Sequence, residues 1–151
     1  MKNLFFGLVF LFVGQKDYSL KLVVSENKLP EKLSVVFTVI CDAKKNIKIP
    51  HKESLLIGYK NDINADCYFE VIEVNNNSEI DFIPTGDYQY YNVKNKDKLM
   101  TLSHKQSQSY KFEITDFYSL EKNKKYKLRL IFRLSKHNSI PDIVSDWVVI
   151  N

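Results

Sequence analysis

The feature that most constrains the fold of this chain is an alternation of apolar and polar side chains that recurs along its length. In residues 33–41 every second residue is apolar and the opposite face is mixed, with Ser34, Val36, Thr38 and Ile40; in residues 126–134 apolar positions alternate mainly with Lys and Arg. Because successive side chains of a strand point to opposite faces, each run has one apolar face and one wetter face. Seven or eight such segments occur, and none of helical length shows the 3.6-residue period. The pattern predicts an all-β protein.

Composition favours the same fold class. Only two Ala occur in 151 residues, whereas Val, Ile, Tyr, Phe and Thr are common. Ala is the best helix former, and β-branched and aromatic residues favour strands. With 44% apolar and 26% charged residues the chain is globular rather than disordered. No Pro-, Gly- or Ser-rich linker divides residues 18–151, so we expect one domain with its own hydrophobic core.

A seven-residue motif narrows the all-β class. In Leu120-Glu-Lys-Asn-Lys-Lys-Tyr126, a Leu, a turn residue and a Tyr have the spacing of a tyrosine corner. In such a corner the hydroxyl bonds back to the chain and the ring packs inside. The turn favours a residue that tolerates a left-handed backbone, usually Gly, and Asn123 is the best candidate for that position.

This motif resembles the Leu-x-Pro-Gly-x-x-Tyr turn of fibronectin-type immunoglobulin-like domains, with Lys122 and Asn123 in place of Pro and Gly. The resemblance covers residues 109–150 and implies a single antiparallel immunoglobulin-like β-sandwich of about seven to eight strands. The same region is similar to small bacterial sandwich domains, including the intracellular proteinase inhibitors of bacilli. The resemblance therefore implies a binding domain, or alternatively an inhibitor.

The first residues, MKNLFFGLVFLFVGQ, differ from all that follow. Lys2 supplies a positive charge, and residues 4–13 form an uncharged apolar run of signal-peptide length. That run is shorter than the about 20 residues of a membrane-spanning helix, and its lack of alternation suits a buried first strand poorly. We expect residues 1–14 to be a signal peptide and residues 15–151 to be the domain. The mature chain is then exported, periplasmic or secreted, without a membrane span.

The charge balance excludes one class of partner. The net charge is +4, and it becomes +3 when Lys2 is removed with the signal peptide, with both signs mixed along the chain. Nucleic-acid binding needs a basic face with stacking aromatic residues, and none is visible. We expect no nucleic-acid partner.

The stretch Asp62-Ile-Asn-Ala-Asp-Cys-Tyr-Phe-Glu-Val-Ile-Glu73 has most of the calcium-loop pattern, with oxygen side chains at positions 1, 3, 5 and 12. A calcium loop also needs a sharp bend at position 6, normally Gly, where this chain has Cys67. The residues after Cys67 have a strand pattern, which carries Glu73 away from Asp62. We predict a polar turn entering a strand, and no metal site.

The two cysteines, Cys41 and Cys67, allow two interpretations. An even count in an exported chain favours a disulfide bridge. Both also fall at strand positions where Cys acts as a small apolar residue, which favours separate buried thiols. An immunoglobulin-type bridge is excluded, because the strand after Tyr126 contains no Cys.

Catalytic motifs are missing from the sequence. There is no Gly-x-Ser-x-Gly elbow, His-Glu-x-x-His or Gly-rich phosphate loop, and His51, His104 and His137 are far apart. Four acidic residues offer pairs for glycoside cleavage, although any surface rich in Lys and acids offers such pairs. They are Glu70, Glu73, Glu79 and Asp81. We expect no enzyme and no cofactor.

Two segments are candidate binding surfaces. The first is Asp-Tyr-Gln-Tyr-Tyr-Asn, which contains Tyr88, Tyr90 and Tyr91. Tyr side chains offer a large amphipathic contact area at low entropic cost. The alternative is that this segment is an edge strand and that its Tyr rings cover the core. Residues 135–142 form the predicted connection between the last two strands, and we expect contacts there. Its candidate contact residues are His137, Ile140 and Pro141.

The function predicted from these observations is a non-catalytic exported binding or accessory module of the cell envelope or secreted fraction, with a protein or glycan partner. A proteinase inhibitor of sandwich type is the alternative, and a carboxylate-based hydrolase is a distant third. Fold alone does not decide between them, because function in such domains depends on the loops.

Overall fold

The computed structural model describes residues 17–25, 31–83 and 98–151. Within these ranges regular structure is almost entirely β-strand, so the all-β prediction is confirmed. No helix in the same ranges is long and apolar enough to cross a membrane. The expected signal peptide at residues 1–14 lies outside the described residues.

The described residues contain eleven strand segments, more than the seven or eight expected, because three of the segments are two residues long. In chain order the strands are β1 (Tyr18–Val24), β2 (Ser34–Cys41), β3 (Ile47–Pro50), β4 (Ile57–Gly58), β5 (Cys67–Glu73), β6 (Ser78–Glu79), β7 (Leu99–Leu102), β8 (Gln106–Glu113), β9 (Tyr126–Phe132), β10 (Ile143–Val144) and β11 (Val148–Ile150). Two single 3-10 turns lie at Ile114–Asp116 and Leu134–Lys136.

The first sheet, called sheet I, has the order β1-β2-β8 and is antiparallel throughout. Phe37 of β2 pairs with Leu22 of β1 and Tyr110 of β8. All three side chains are buried, as the alternation requires. The opposite face carries small hydroxyls, such as Thr38 and Ser109, whose oxygens are 2.7 Å apart.

The second sheet, called sheet II, has the order β10-β9-β5-β4, with β11 also paired to β9 and β6 to β5. Its pairs are antiparallel except for the parallel pair β4–β5. Between β10 and β11, Ser145 exchanges two 2.9 Å hydrogen bonds with the backbone of Leu130, so the two segments form one interrupted edge strand. Trp147 lies in this interruption, with Arg129 Cζ 4.5 Å and Lys127 Nζ 5.2 Å from its ring centre.

Aromatic rings of both sheets meet in one core. Phe37 of sheet I stacks on Tyr110 at a centroid distance of 4.8 Å and lies 6.0 Å from the ring of Phe132 in sheet II. Tyr110 donates its hydroxyl to the carbonyl of Pro50 at 2.7 Å, and burial raises its pKa. The small pair β3–β7 is thereby joined to the same core.

The 120–126 motif closes as a turn before β9. The ring of Tyr126 is buried, and its hydroxyl accepts the N–H of Glu121 at 2.9 Å, while Leu120 packs against the core. The left-handed conformation expected at Asn123 is not found. The turn is closed instead by the N–H of Lys124, which bonds to the carbonyl of Glu121 at 3.1 Å. A β-turn of the common type I has this hydrogen bond and requires no residue with a positive φ.

The two segments that flank β5 are short. Only Ile57–Gly58 of the apolar run at residues 55–59 is a strand, β4. After β5 the chain reverses at once, and β6 pairs with the end of β5. Asn77 makes that reversal possible with a left-handed φ of 56°.

Candidate functional site: the loop end of sheet II

Residues 60–66 form a tight turn between β4 and β5. The Oδ1 of Asp62 accepts the N–H of Asn64 at 2.9 Å, and its carbonyl accepts the N–H of Ala65 at 3.2 Å. Gly58 leaves room for this turn, since a Cβ there would lie 2.6 Å from Asp62 Oδ2 and 2.7 Å from Ala65 Cβ. The turn therefore lies closer to β4 than any side chain at residue 58 allows.

Asp66 is the centre of the hydrogen-bond network at this end of the sheet. Its side chain is 5% exposed, and Oδ2 accepts the N–H of Leu56 at 2.8 Å. Its Oδ1 lies 2.7 Å from Lys136 Nζ and 3.0 Å from His137 Nε2. Lys136 also donates to the carbonyl of Asn64. A buried carboxylate is stable only when it is paired and hydrogen-bonded, and here neighbours on three sides meet that need.

Arg133, which follows β9 directly, binds the same turn from another side. Its guanidinium donates to the carbonyls of Lys60 and Asp62. The same group lies 5.0 Å from the ring centre of Tyr68, within the range of a cation–π contact. Its backbone N–H donates to the carbonyl of Asp66 at 2.8 Å. Residues 60–66 are thus fixed by the side chains of Arg133, Lys136 and His137, which lie about 70 positions later in the sequence.

The predicted polar turn entering a strand is confirmed. The oxygen atoms at this turn bind Arg and Lys side chains of the protein itself. Strand β5 carries Glu73 to its far end, where the buried carboxylate pairs with Lys124 at 3.2 Å. Among the described residues no three His, Cys, Asp or Glu side chains lie where they could hold a metal ion together.

Residues 135–142 are tied down at both ends. Ser135 donates its N–H (3.0 Å) and its hydroxyl (2.6 Å) to Asp142 Oδ1, which closes the base of the connection. The side chain of Asn138 donates to the carbonyl of Lys48 and accepts its N–H, both at 2.7 Å. Asn138 thereby mimics a strand residue beside β3. Together with residues 60–66, this connection forms what we call the loop end.

The sequence-predicted contact residues differ in their surroundings. His137 lies in the loop end but is bound to Asp66, and Pro141 is exposed. Ile140 is half-buried and packs against the core. The three tyrosines proposed as an alternative surface lie outside the described residues; they are Tyr88, Tyr90 and Tyr91.

Sequence reasoning missed Ile63. It is 84% exposed, the highest fraction among the exposed large apolar residues, and it lies at the tip of the 60–66 turn. The available signal was an Ile between Asp62 and Asn64 in an otherwise polar turn. The oxygen side chains on either side of Ile63 gave the stretch the pattern of a metal loop, which drew attention away from the apolar residue between them.

Of the four candidate carboxylates, the two on β5 are separated by strand alternation. Glu70 and Glu73 are three residues apart on β5 and point to opposite faces. Arg129 Nε donates to Glu70 at 2.5 Å, whereas Glu73 pairs with Lys124 on the inner side. The other two acidic residues, Glu79 and Asp81, are exposed beyond β5.

Cys41 and Cys67 are both buried free thiols, so the bridge that the even count allows is not formed in this structure. Burial raises the pKa of both, and that of Cys67 is raised further by the neighbouring Asp66 carboxylate. Both thiols are thus held in the protonated form, which is the less nucleophilic one.

Comparisons with known proteins assign no relative to the chain: no family model matches it, and no curated protein is significantly similar.

Proposed function

We propose that the chain is an exported, non-catalytic binding module that contacts a protein partner through its loop end. The observation that carries this proposal is Ile63, a large apolar side chain that is 84% exposed on a turn fixed by Arg133 and Lys136. A pre-organised apolar side chain loses little entropy on binding, which is the property of an interface anchor. Loops held by a rigid scaffold are the usual site of function in β domains.

We further propose that the fold is an immunoglobulin-like β-sandwich. Support comes from the strand order, because such domains place their strands A, B and E in one sheet and C, F and G in the other. Sheet I orders the first, second and eighth strands, and sheet II brings β5 and the last strands together around β9. The bond from Glu121 to Tyr126 at the start of β9 has the position of a tyrosine corner. Interproton contacts between the inward-facing residues of the two sheets, such as Phe37 and Phe132, test the layered arrangement by NMR.

The proposed export of the chain is supported by the apolar run at residues 4–13, which follows the positive charge of Lys2. Mass spectrometry of the mature chain should give the mass of a chain whose N-terminal residue is at or near Gln15. A soluble cytosolic product that retains Met1 contradicts export.

The binding function is tested by capture with the tagged full chain in extracts of the envelope and secreted fractions of the producing organism. We expect Ile63→Asp to weaken the captured complex about thirtyfold, or about 2 kcal/mol, without lowering the unfolding midpoint. Val74→Asp is the matched control, because Val74 is 39% exposed at the opposite end of the same strand, β5. Equal binding by both variants contradicts a contact at the loop end.

A proteinase inhibitor remains the alternative, favoured by the same observation, since inhibitors of this kind present a rigid exposed loop. Here Ile63 would enter the primary specificity pocket of a proteinase. Titration against proteinases of the main mechanistic classes distinguishes the two functions. Stoichiometric inhibition that Ile63→Asp removes supports the inhibitor, and capture without inhibition supports the binding module.

A further inference from the structure

A concave cleft lies beside the loop end, on the β6 side of β5. Its volume is about 240 Å³, and its wall is formed by the residues that follow β4 and by the chain from β6 to Phe82. Pockets for drug-sized ligands measure about 300–1,000 Å³, so this cleft suits a group of one ring rather than a large cofactor.

The apolar wall of the cleft is aromatic. Phe82 packs edge-to-face against Tyr118, with ring centres 5.7 Å apart, and Tyr118 donates its hydroxyl to the carbonyl of Phe69 at 3.0 Å. The ring of Tyr59 lies against Phe82 with ring centres 6.4 Å apart, and Tyr59 is 52% exposed. Because Tyr118 and Phe69 are buried, the aromatic surface that a ligand can reach is that of Tyr59 and the half-buried Phe82.

The rim carries both hydrogen-bond donors and acceptors. Lys60 and Asn61 follow Tyr59 on one side, and the exposed carboxylates of Glu79 and Asp81 lie on the other. Lys60 is also 3.8 Å from Glu70 outside the cleft. The rim thus combines an ammonium group, a carboxamide and two carboxylates in a small space.

We infer that this cleft binds one sugar ring of a neutral glycan. A pyranose has an apolar C–H face that packs on an aromatic ring and hydroxyls that both donate and accept, which matches the aromatic wall and the mixed rim. An anionic ligand would be repelled by the carboxylates of Glu79 and Asp81, whereas the hydroxyls of a neutral sugar can bond to these carboxylates and to Lys60. The inference extends the proposed binding function to a second ligand class and does not depend on Ile63.

The experiment is a heteronuclear NMR titration of the mature chain with neutral oligosaccharides of hexoses and N-acetylhexosamines. We expect saturable shifts in the amides of residues 59–61 and 79–82, with a dissociation constant on the order of 1 mM. Tyr59→Ala and Asp81→Asn should each weaken binding about tenfold, which corresponds to the loss of one good contact. Trp147→Ala is the control, an aromatic side chain that is 37% exposed outside the cleft. Amide dispersion of each variant shows that it is folded.

Three results overturn the inference: no shift at about ten times that concentration, saturable shifts that map elsewhere, or shifts at the cleft with simple amines or uronic acid oligomers but not with neutral sugars. Ile63→Asp separates this site from the loop end. If the parent captures a protein partner and the Ile63→Asp variant does not, while both bind sugars equally, both proposals stand. If the parent itself binds sugars but captures no protein partner, the cleft is supported and the loop end is contradicted.

Discussion

The two ends of β9 are stabilised by different chemistry. At its start, one neutral hydroxyl, that of Tyr126, closes a local turn with Glu121. At its other end, a buried carboxylate, Asp66, is bound by a backbone N–H and by Lys136 and His137. Water replaces a lost neutral hydrogen bond at modest cost, whereas an unpaired buried charge costs several kcal/mol. We expect substitutions in the turn at residues 120–126, called the corner below, to lower the free energy of unfolding less than substitutions at the loop end.

The largest effect should come from Asp66→Ala. It leaves the N–H of Leu56, the ammonium group of Lys136 and the ring nitrogen of His137 without their partner, and we expect a loss of about 3 kcal/mol or more in the free energy of unfolding. Denaturant unfolding measures it, with Asp116→Ala as the exposed carboxylate control, expected within about 0.5 kcal/mol. A loss below about 1 kcal/mol would show that the two ends of β9 are equally robust.

A second effect at the loop end should come from Gly58→Ala. A Cβ there meets Asp62 and Ala65 below 3 Å, so the 60–66 turn must move, at about 2 kcal/mol. Hydrogen exchange should show faster exchange at residues 60–66 and unchanged exchange at residues 121–126. Equal acceleration in both places breaks the comparison, because it would mean that the ends unfold together.

At the corner, Tyr126→Phe should cost less, about 1 to 2 kcal/mol, because the N–H of Glu121 is only partly buried and water reaches it. Tyr18→Phe is the matched control, since its exposed hydroxyl makes only a 3.3 Å contact with the carbonyl of Lys45. We expect no measurable change there. Thermal unfolding of both variants provides the measurement.

The smallest effect is a pH dependence that originates next to Asp66. Burial raises the pKa of Cys67 well above its ordinary value near 9, so the folded chain keeps a proton that the unfolded chain loses. Stability is complete below about pH 8.5 and falls as the pH rises further, by at most about 1.4 kcal/mol per pH unit for one group. Cys67→Ala should flatten this fall more than Cys41→Ala, whose thiol pKa is raised less. Unfolding curves under reducing conditions between pH 7 and about 10 test this, and a steeper fall in Cys67→Ala contradicts it.

The corner was readable in the sequence because all of its parts lie within seven consecutive residues. The all-β class was readable because alternation is also a local signal. The loop end was not readable, since Asp66 and Lys136 are 70 positions apart and only the pairing of β5 with β9 brings them together. The contact of Ile140 with the core was not readable either, because an apolar residue in a polar loop gives no sign of the core beneath it.

The single tryptophan of the chain occupies the interruption of the outer strand of sheet II, with Arg129 and Lys127 over its ring. Its fluorescence therefore reports on one part of the molecule, the pairing of the C-terminal edge strand with β9, to which Ser145 contributes. Detachment of that strand would move both cationic groups away from the indole and change its surroundings. A fluorescence transition that precedes the far-ultraviolet dichroism transition would then measure fraying of the C-terminal strand, and coincident transitions would show that this pairing opens only with the whole domain.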